Sequence, residues 1–377
     1  MKIIHISDLH LGRKIHEYSM IKEQRNALNQ VVEAVDKHCI DAVLIAGDVY
    51  DKSIPTVEAM ELFESFLMEL ADRNKKVFVI SGNHDSSERL SFGAKAFEKN
   101  GIYIAKAYSG QVPYVELEDE YGQVCIYMIP FVKPAIVKHY HNVEIEDYNT
   151  ALKVVVENIS LDTTKRNIVM VHQFITGAIR SDSEEVCLGG LDNVDFEIFD
   201  DFDYVAMGHI HKPQNMGRKY VRYSGSPLKY SIDEINHKKS MTVIELNKKG
   251  DISVDTIEFL PLNDIRKIEG TYMELTDRSN YIDTKTDDYL HVVLTDEQDI
   301  PDALRKLKVI YPNILKLEYS NKRTAVNKLA ITPLQVKNKG VFEYVKELYE
   351  LQNNQEIDDM QLKVVKKLWE ESKTDET

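Results

Sequence analysis

Seven side chains of this 377-residue chain have the types and spacing of a metal centre: Asp8, His10, Asp48, Asn83, His172, His209 and His211. All offer oxygen or imidazole nitrogen and none offers sulfur, a mixture that suits manganese, iron or zinc. One six-coordinate ion that must also hold substrate has no room for seven donors, so two ions sharing a carboxylate are the economical solution. Two divalent ions contribute +4 and two aspartates −2, which leaves about +2 to attract an anion. At contact distance that local sign outweighs the formal net charge of −15. Coordination also draws the pKa of water down towards ~7, so a hydroxide nucleophile exists at neutral pH without a side-chain base.

The donors must be carried by short strands. Apolar runs at 2–7, 42–46, 76–81, 167–171 and 204–207 stop at Asp8-Leu9-His10, Gly47-Asp48-Val49-Tyr50-Asp51, Gly82-Asn83-His84-Asp85, His172 and Gly208-His209-Ile210-His211. Ligands at the carboxyl ends of neighbouring strands in an open α/β sheet converge on one crevice, because the strands lie only ~4.8 Å apart. Asp8/His10 and His209/His211 sit at i and i+2, and extended backbone would point each pair the same way. The glycines before Asp48, Asn83 and His209 allow tight turning beside a crowded centre. Ile21, Leu28, Val31, Val32 and Val35, then Met60, Phe63, Leu67 and Leu70, recur at helical spacing and supply crossover helices. A run at 124–129 follows one at 112–117 across a Glu-Asp-Glu-Tyr-Gly turn, and 220–223, 241–246 and 253–259 continue the hairpin character. The expected fold is therefore α/β, a two-sheet α/β sandwich rather than one parallel sheet.

The chain divides into 1–262, a smaller α/β unit at 263–330 and a tail at 331–377. The smaller unit predicts strands near 266–275, 290–294 and 315–319 and a helix over 301–311. The tail predicts two helices, 341–351 and 357–369, with apolar stripes of Val341, Val345 and Leu348 and of Met360, Val364 and Leu368. Helices this short do not stand alone in water, so the hairpin docks on something. Three scattered cysteines, Cys39, Cys125 and Cys187, fit a reducing compartment and neither a disulfide framework nor a thiolate zinc site. No apolar run reaches the ~18 residues of a membrane span, and the first residues read straight into a strand, so the expectation is a cytoplasmic protein with no membrane partner. His5, His16, His38, His139, His141, His237 and His291 read as structural or surface residues, because none belongs to a strand-end cluster.

Taken in order, Asp8-x-His10, Gly47-Asp48-x-x-Asp51, Gly82-Asn83-His84-Asp85, His172 and Gly208-His209-x-His211 resemble the motifs of the calcineurin-like metallophosphoesterase superfamily over about residues 1–260. The resemblance implies that Asp8, His10, Asp48 and His211 hold one ion and Asp48, Asn83, His172 and His209 the other, Asp48 bridging. Protein phosphatases of the superfamily carry Arg-Gly after the second motif and GNHE in the third. Here Lys52-Ser53 follow Asp51 and the third motif ends in Asp85, which argues against that branch. Ser7-Asp8-Leu9-His10-Leu11-Gly12, Gly208-His209-Ile210-His211-Lys212-Pro213 and Tyr223-Ser224-Gly225-Ser226-Pro227 are instead similar to the SbcD nuclease family, whose order is nuclease domain, capping domain and helical segment docking on the SbcC ATPase.

That resemblance implies a manganese-dependent DNA nuclease with double-strand exonuclease and single-strand or hairpin endonuclease action, two copies joining an SbcC-type ATPase in a heterotetramer. His84 follows the ligand Asn83 and projects differently, free to protonate the leaving oxygen or position the scissile phosphate, with Asp51 orienting it. The acidic chain predicts weak DNA affinity on its own, with the partner supplying much of the basic surface; Arg13, Lys14, Lys52, Arg89, Lys133 and Arg180 read first as solvated charges. A small-molecule phosphodiesterase or phosphomonoesterase on the same two ions is the alternative. It needs neither cap nor docking tail. A metal-free scaffold would have lost ligands, and all seven are present.

Overall fold

The computed structural model describes residues 1–184, 193–321, 341–353 and 356–374. Two compact units divide it, Met1–Ile265 and Arg266–Thr377. In the first unit two six-stranded sheets form a sandwich. One sheet runs Ile252–Glu258, Ser240–Leu246, Lys2–Ile6, Ala42–Ala46, Lys76–Ile80, Ile102–Ile104, with the last four strands parallel and the first two antiparallel. The other runs Gln214–Met216, Arg218–Tyr223, Tyr204–Gly208, Arg166–His172, Gly122–Met128, Tyr114–Asp119, parallel in its middle four strands and antiparallel at both edges.

Alternation along each strand sorts the side chains between two cores. Ala42, Leu44, Phe78, Ile80, Ile126, Met128, Ile168, Met170, Tyr204 and Ala206 face one another between the sheets. The intervening Tyr127, Val169, Val171, Val205 and Met207 face outward and pack on Ala151, Leu152 and Val155 of the helix Tyr148–Glu157. Strands buried on both faces read as continuous apolar runs, which is why 42–46 and 168–171 contain no polar residue. Full burial of each such side chain contributes about 1.5–3 kcal/mol, so the two layers hold the strand ends at fixed spacing. The helices Ile21–Lys37 and Val57–Asp72 follow the strands Lys2–Ile6 and Ala42–Ala46, where helical periodicity places them.

Register brings the carboxyl ends level. Ile6 pairs with Ile45 and Ile45 with Val79 in one sheet, and Gly208 pairs with His172 in the other. The chains leaving those ends are cross-tied: Asp8 N donates to Gly47 O at 3.0 Å, His10 N to Asp48 O at 2.9 Å and Leu11 N to Val49 O at 2.9 Å.

The second unit has a three-stranded sheet of Ile265–Gly270, Tyr289–Leu294 and Ile314–Tyr319, with Leu290, Val292 and Leu294 packed against Leu307, Tyr311 and Ile314. The strand expected over 266–275 stops at Gly270. Thr271 there accepts from Glu274 N at 3.2 Å while the Glu274 side chain accepts from Thr271 N at 2.7 Å, and this capping box starts the helix Tyr272–Thr276. The helix expected over 301–311 is regular only at Ala303–Leu307. The tail contains the helices Val341–Asn353 and Asp359–Thr374, and the Phe342 and Trp369 rings meet edge to face with centroids 6.4 Å apart. The expected boundary at 331, Cys187, the joint residues Asn354 and Gln355, and the tail end 375–377 lie outside the described residues. Among the described residues no helix is long and apolar enough to cross a membrane.

Candidate metal centre

The donors predicted from the sequence converge at the level strand ends. His10 Nε2 lies 3.0 Å from His211 Nε2 and 3.6 Å from Asp48 Oδ2. His172 Nε2 lies 3.4 Å from the same Asp48 oxygen and 3.1 Å from Asn83 Oδ1, and His209 Nδ1 lies 3.0 Å from Asn83 Oδ1. Asp8, His10 and His211 each bring one ligand atom within a common 4.8 Å, as do Asp8, Asp48 and His172, and His10, Asp48 and His84. Asp48 belongs to two of these groups and Asp8 to two, so carboxylate stands between two clusters of imidazole.

How the chain aims these side chains differs from the expectation. The strands end at Ile6 and Gly208, before the i, i+2 pairs begin. Asp8, His10, Asp48 and His209 instead have φ of 53°, 43°, 47° and 104°, the left-handed region that non-glycine residues rarely enter. Left-handed turns, rather than alternation in extended backbone, point the pairs inward. Each strained residue costs about 1–3 kcal/mol, which the cross-ties and burial of the surrounding loops offset. The glycines also act differently from the expectation at two of three positions. Only Gly47 has positive φ, 88°. A Cβ on Gly82 would stand 2.1 Å from Asp48 Oδ1, and one on Gly208 would stand 1.9 Å from Ala46 O and 2.6 Å from His172 Nδ1, so close approach demands both. Gly208→Ala is therefore expected to destabilise the unit by ~3 kcal/mol, the upper end for overpacking, because the obstruction is backbone; a melting temperature within 2 °C of the parent, well under the ~6–12 °C that such a loss implies at ~2–4 °C per kcal/mol for a domain of this size, would contradict it.

The electrostatics favour neutral imidazole at His10 and His209, ionised carboxylate at Asp48 and positive charge at His172. Burial, with His172 nearby, pushes His209 down to about 3, and burial likewise holds His10 well below the usual imidazole range. Burial opposes ionisation of Asp48, yet His172 and His10 hold its carboxyl well below the usual range. Burial also opposes charge on His172, which Asp48 and Asp8 nonetheless carry up to about 9. Burial raises Asp8 against the pull of His172 and His211. The carboxylates thus draw positive charge to this point, and a divalent cation meets that demand. His10 Nδ1 is buried with no hydrogen-bond partner. With His211 Nδ1 committed to Ser183 Oγ at 2.6 Å, the two facing Nε2 atoms and the oxygens of Asp8, Asp48 and Asn83 form a donor set that fits divalent ions.

His84 differs from its neighbours. Its side chain is 16% exposed where that of His10 is 1% and that of Asp48 3%, so it faces the open crevice. Its Nδ1 donates to Asp51 at 3.0 Å, and the acceptor is the Asp51 main-chain oxygen rather than the expected carboxylate. The Asp51 carboxylate turns to Arg13 Nη1 at 3.4 Å and lies 3.9 Å from His10 Nδ1. Arg13 thus stands at the centre, while Lys14, Lys52 and Lys133 are exposed and Arg180 lies over the Phe174 ring at 3.5 Å. Asp85 was readable as a motif residue but not as a brace: it accepts from Val49 N, Tyr50 N and Gly82 N at 2.9–3.0 Å, joining the second and third motif loops, and burial raises it to about 6. Ser183, Glu184 and Glu234, around His211, carried no sequence signal. The remaining histidines lie elsewhere: His5 bonds the Tyr204 hydroxyl at 3.0 Å, His141 the Tyr108 hydroxyl at 2.6 Å, and His291 the Glu318 carboxylate at 2.7 Å.

Comparison with known proteins accords with this geometry. Residues 1–213 match the calcineurin-like phosphoesterase family, and 261–353 match the family described as type 5 capsule protein repressor C-terminal domain. A protein of Staphylococcus epidermidis named as the SbcD component of nuclease SbcCD is 35% identical over 322 residues, 84% of this chain and 85% of that one. Its namesake in Staphylococcus saprophyticus is 34% identical over 84% of each chain. Among solved structures, a dimetal phosphatase from Danio rerio aligns over 69% of this chain and 97% of that one at 11% identity and a TM-score of 0.40, a likeness too loose to carry the assignment.

Proposed function

Because this chain belongs to the calcineurin-like phosphoesterase family and, at 34% and 35% identity, to the group of SbcD nucleases, we propose that it is a metal-dependent nuclease hydrolysing DNA phosphodiesters at the rim of its sandwich. One observation carries the reading: the Asp48 carboxylate stands 3.6 Å from His10 and 3.4 Å from His172, between two imidazole clusters at aligned strand ends. In this reading Asp8, His10, Asp48 and His211 hold one ion, and Asp48, Asn83, His172 and His209 the other. Manganese is the ion proposed, since hard carboxylate and amide oxygens share the site with imidazole. When bound, the ions supply Lewis acidity and an activated water at neutral pH.

The chain's own residues do the rest. His84, on the open side and fixed through Nδ1 by the Asp51 carbonyl, presents Nε2 to the leaving oxygen and donates its proton there. Arg13, held between Asp51 and the Ser183 carbonyl at 3.1 Å, offers charge to a scissile phosphate entering beside it. The charge of −15 leaves the isolated chain a poor DNA binder, so an SbcC-type ATPase supplies the basic surface, with two copies of this chain in the assembly. The tail helices serve as the docking segment: Leu348, Met360, Val364 and Leu368 are 53–80% exposed, an apolar stripe suited to a partner helix. The unit from 263 to about 330 is the capping domain in this reading, and the protein works in the cytoplasm.

Manganese-dependent release of nucleotides from end-labelled duplex, and nicking of hairpin and single-stranded DNA, test the reading with and without the ATPase. Cleavage that needs manganese and rises at least tenfold with the ATPase is expected. Turnover of cyclic nucleotides by the isolated chain, with no DNA cleavage under either condition, would sink the nuclease assignment and favour a small-molecule phosphodiesterase.

A further inference from the structure

Ser183 and Glu234 lie outside every motif, yet they converge on one face of His211. Ser183 Oγ is 2.6 Å from His211 Nδ1 and donates to Glu234 Oε1. Glu234 is fully buried, sits 3.4 Å from the same ring nitrogen, and is ion-paired to Lys239 Nζ at 2.5 Å. Lys239 in turn donates to His211 O and to Ser226 Oγ, both at 2.8 Å. The direction of this chain of bonds is fixed by its ends. A buried ammonium has only protons to give, so the Glu234 carboxylate accepts from Lys239; the Ser183 hydroxyl gives its one proton to Glu234 and must accept from His211. The imidazole proton therefore resides on Nδ1, and the lone pair on Nε2 faces His10, in the group that Asp8 completes.

We infer that Ser183 and Glu234 are positioning residues that fix the His211 tautomer for metal ligation, with Lys239 holding Glu234 in place. The inference rests on the metal-centre reading above. The backbone is clamped by the same neighbourhood: Glu184 Oε1 accepts from His211 N at 2.6 Å, and a Cβ on Gly225 would stand 2.7 Å from His211 O. This gives the Ser224-Gly225-Ser226-Pro227 segment a physical role, since its Ser226 completes the Lys239 shell and its Gly225 lets the turn lie against the ligand's carbonyl. A ligating histidine whose outer nitrogen loses its acceptor typically loses 10–100-fold in metal affinity.

The experiment is Mn(II) titration of the full chain, followed by calorimetry and by the electron paramagnetic resonance of free Mn(II), in the parent, Ser183→Ala and Ser183→Thr, with the metal-free melting temperature of each. Ser183→Ala is expected to weaken one of the two binding steps 10–100-fold and leave the other within threefold, while Ser183→Thr, which keeps the hydroxyl, stays within threefold of the parent at both. Glu234→Gln, keeping an acceptor but not the charge, is expected to fall between them. Both ions binding Ser183→Ala as tightly as the parent overturns the inference, and so does an equal loss in Ser183→Thr, which would mark a packing effect. A parent chain that takes up no Mn(II) overturns the metal-centre reading and the relay with it.

Discussion

Asp48→Asn is expected to lower manganese-dependent DNA cleavage by about three orders of magnitude or more while the sandwich stays folded. The carboxylate lies within 3.4–3.9 Å of His172, His10 and His84, and belongs to two of the three potential ligand groups. An amide of the same shape keeps one neutral oxygen and loses the charge that the two proposed ions would share. Lewis-acid stabilisation is worth several kcal/mol in a transition state, and each 1.36 kcal/mol is tenfold in rate, which sets the estimate at ~10³ or more. Two measurements check it together: the stoichiometry of bound Mn(II), expected to fall from two towards one or none, and the single-turnover rate on duplex DNA with the ATPase present. A variant that binds two ions and cleaves within tenfold of the parent would remove Asp48 from the bridging position.

His84→Ala should separate chemistry from metal binding. General acid catalysis contributes typically 10²–10⁴-fold, so a loss of about that size is expected with both Mn(II) affinities retained. The rival is set by distance: His84 Nε2 lies 3.9 Å from Asp48 Oδ2 and shares a ligand group with His10 and Asp48, so it is close enough to be a ligand itself. The acid and ligand roles predict different data. A ligand's removal weakens a binding step; an acid's removal does not, and its defect shrinks on a substrate whose leaving group needs no proton, such as a nitrophenyl phosphodiester. Unchanged DNA cleavage in the variant would leave His84 with neither role.

Much of this centre was legible because strand ends advertise themselves. Five apolar runs stopping at Asp, Asn or His, with glycine before three of them, place the seven donors together from the sequence alone. What alternation could not reveal is the backbone between the last strand residue and the ligand. Asp8, His10 and Asp48 adopt left-handed φ against their own preference, and a local rule built on extended geometry has no access to the cross-ties that hold them there. Asp51 illustrates a second limit, since a carboxylate in a motif invites a carboxylate's role, whereas its main-chain oxygen meets His84. The outer partners of His211 come from separate segments, one containing Ser183 and Glu184 and the other the short helical turn Ile232–Asn236, and no spacing in the sequence joins them. In the second unit the capping box of Thr271 and Glu274 was readable, and it outweighed the apolar pattern that favoured a longer strand.

The centre straddles a seam. Asp8, His10, Asp48 and Asn83 leave strands of one sheet, whereas His172, His209 and His211 belong to the other. The two are kept in step by side-chain packing that includes Leu44, Phe78, Ile168 and Met170 and by hydrogen bonds such as His172 Nδ1 to Ala46 O at 2.8 Å and His209 N to Asp8 Oδ1 at 2.9 Å. In the proposed centre neither half would own a complete coordination shell, so catalytic competence would be a property of their mutual alignment. A cation held by residues of both halves would gain its affinity from that alignment and, by reciprocity, would return the same free energy as resistance to shearing of the two layers.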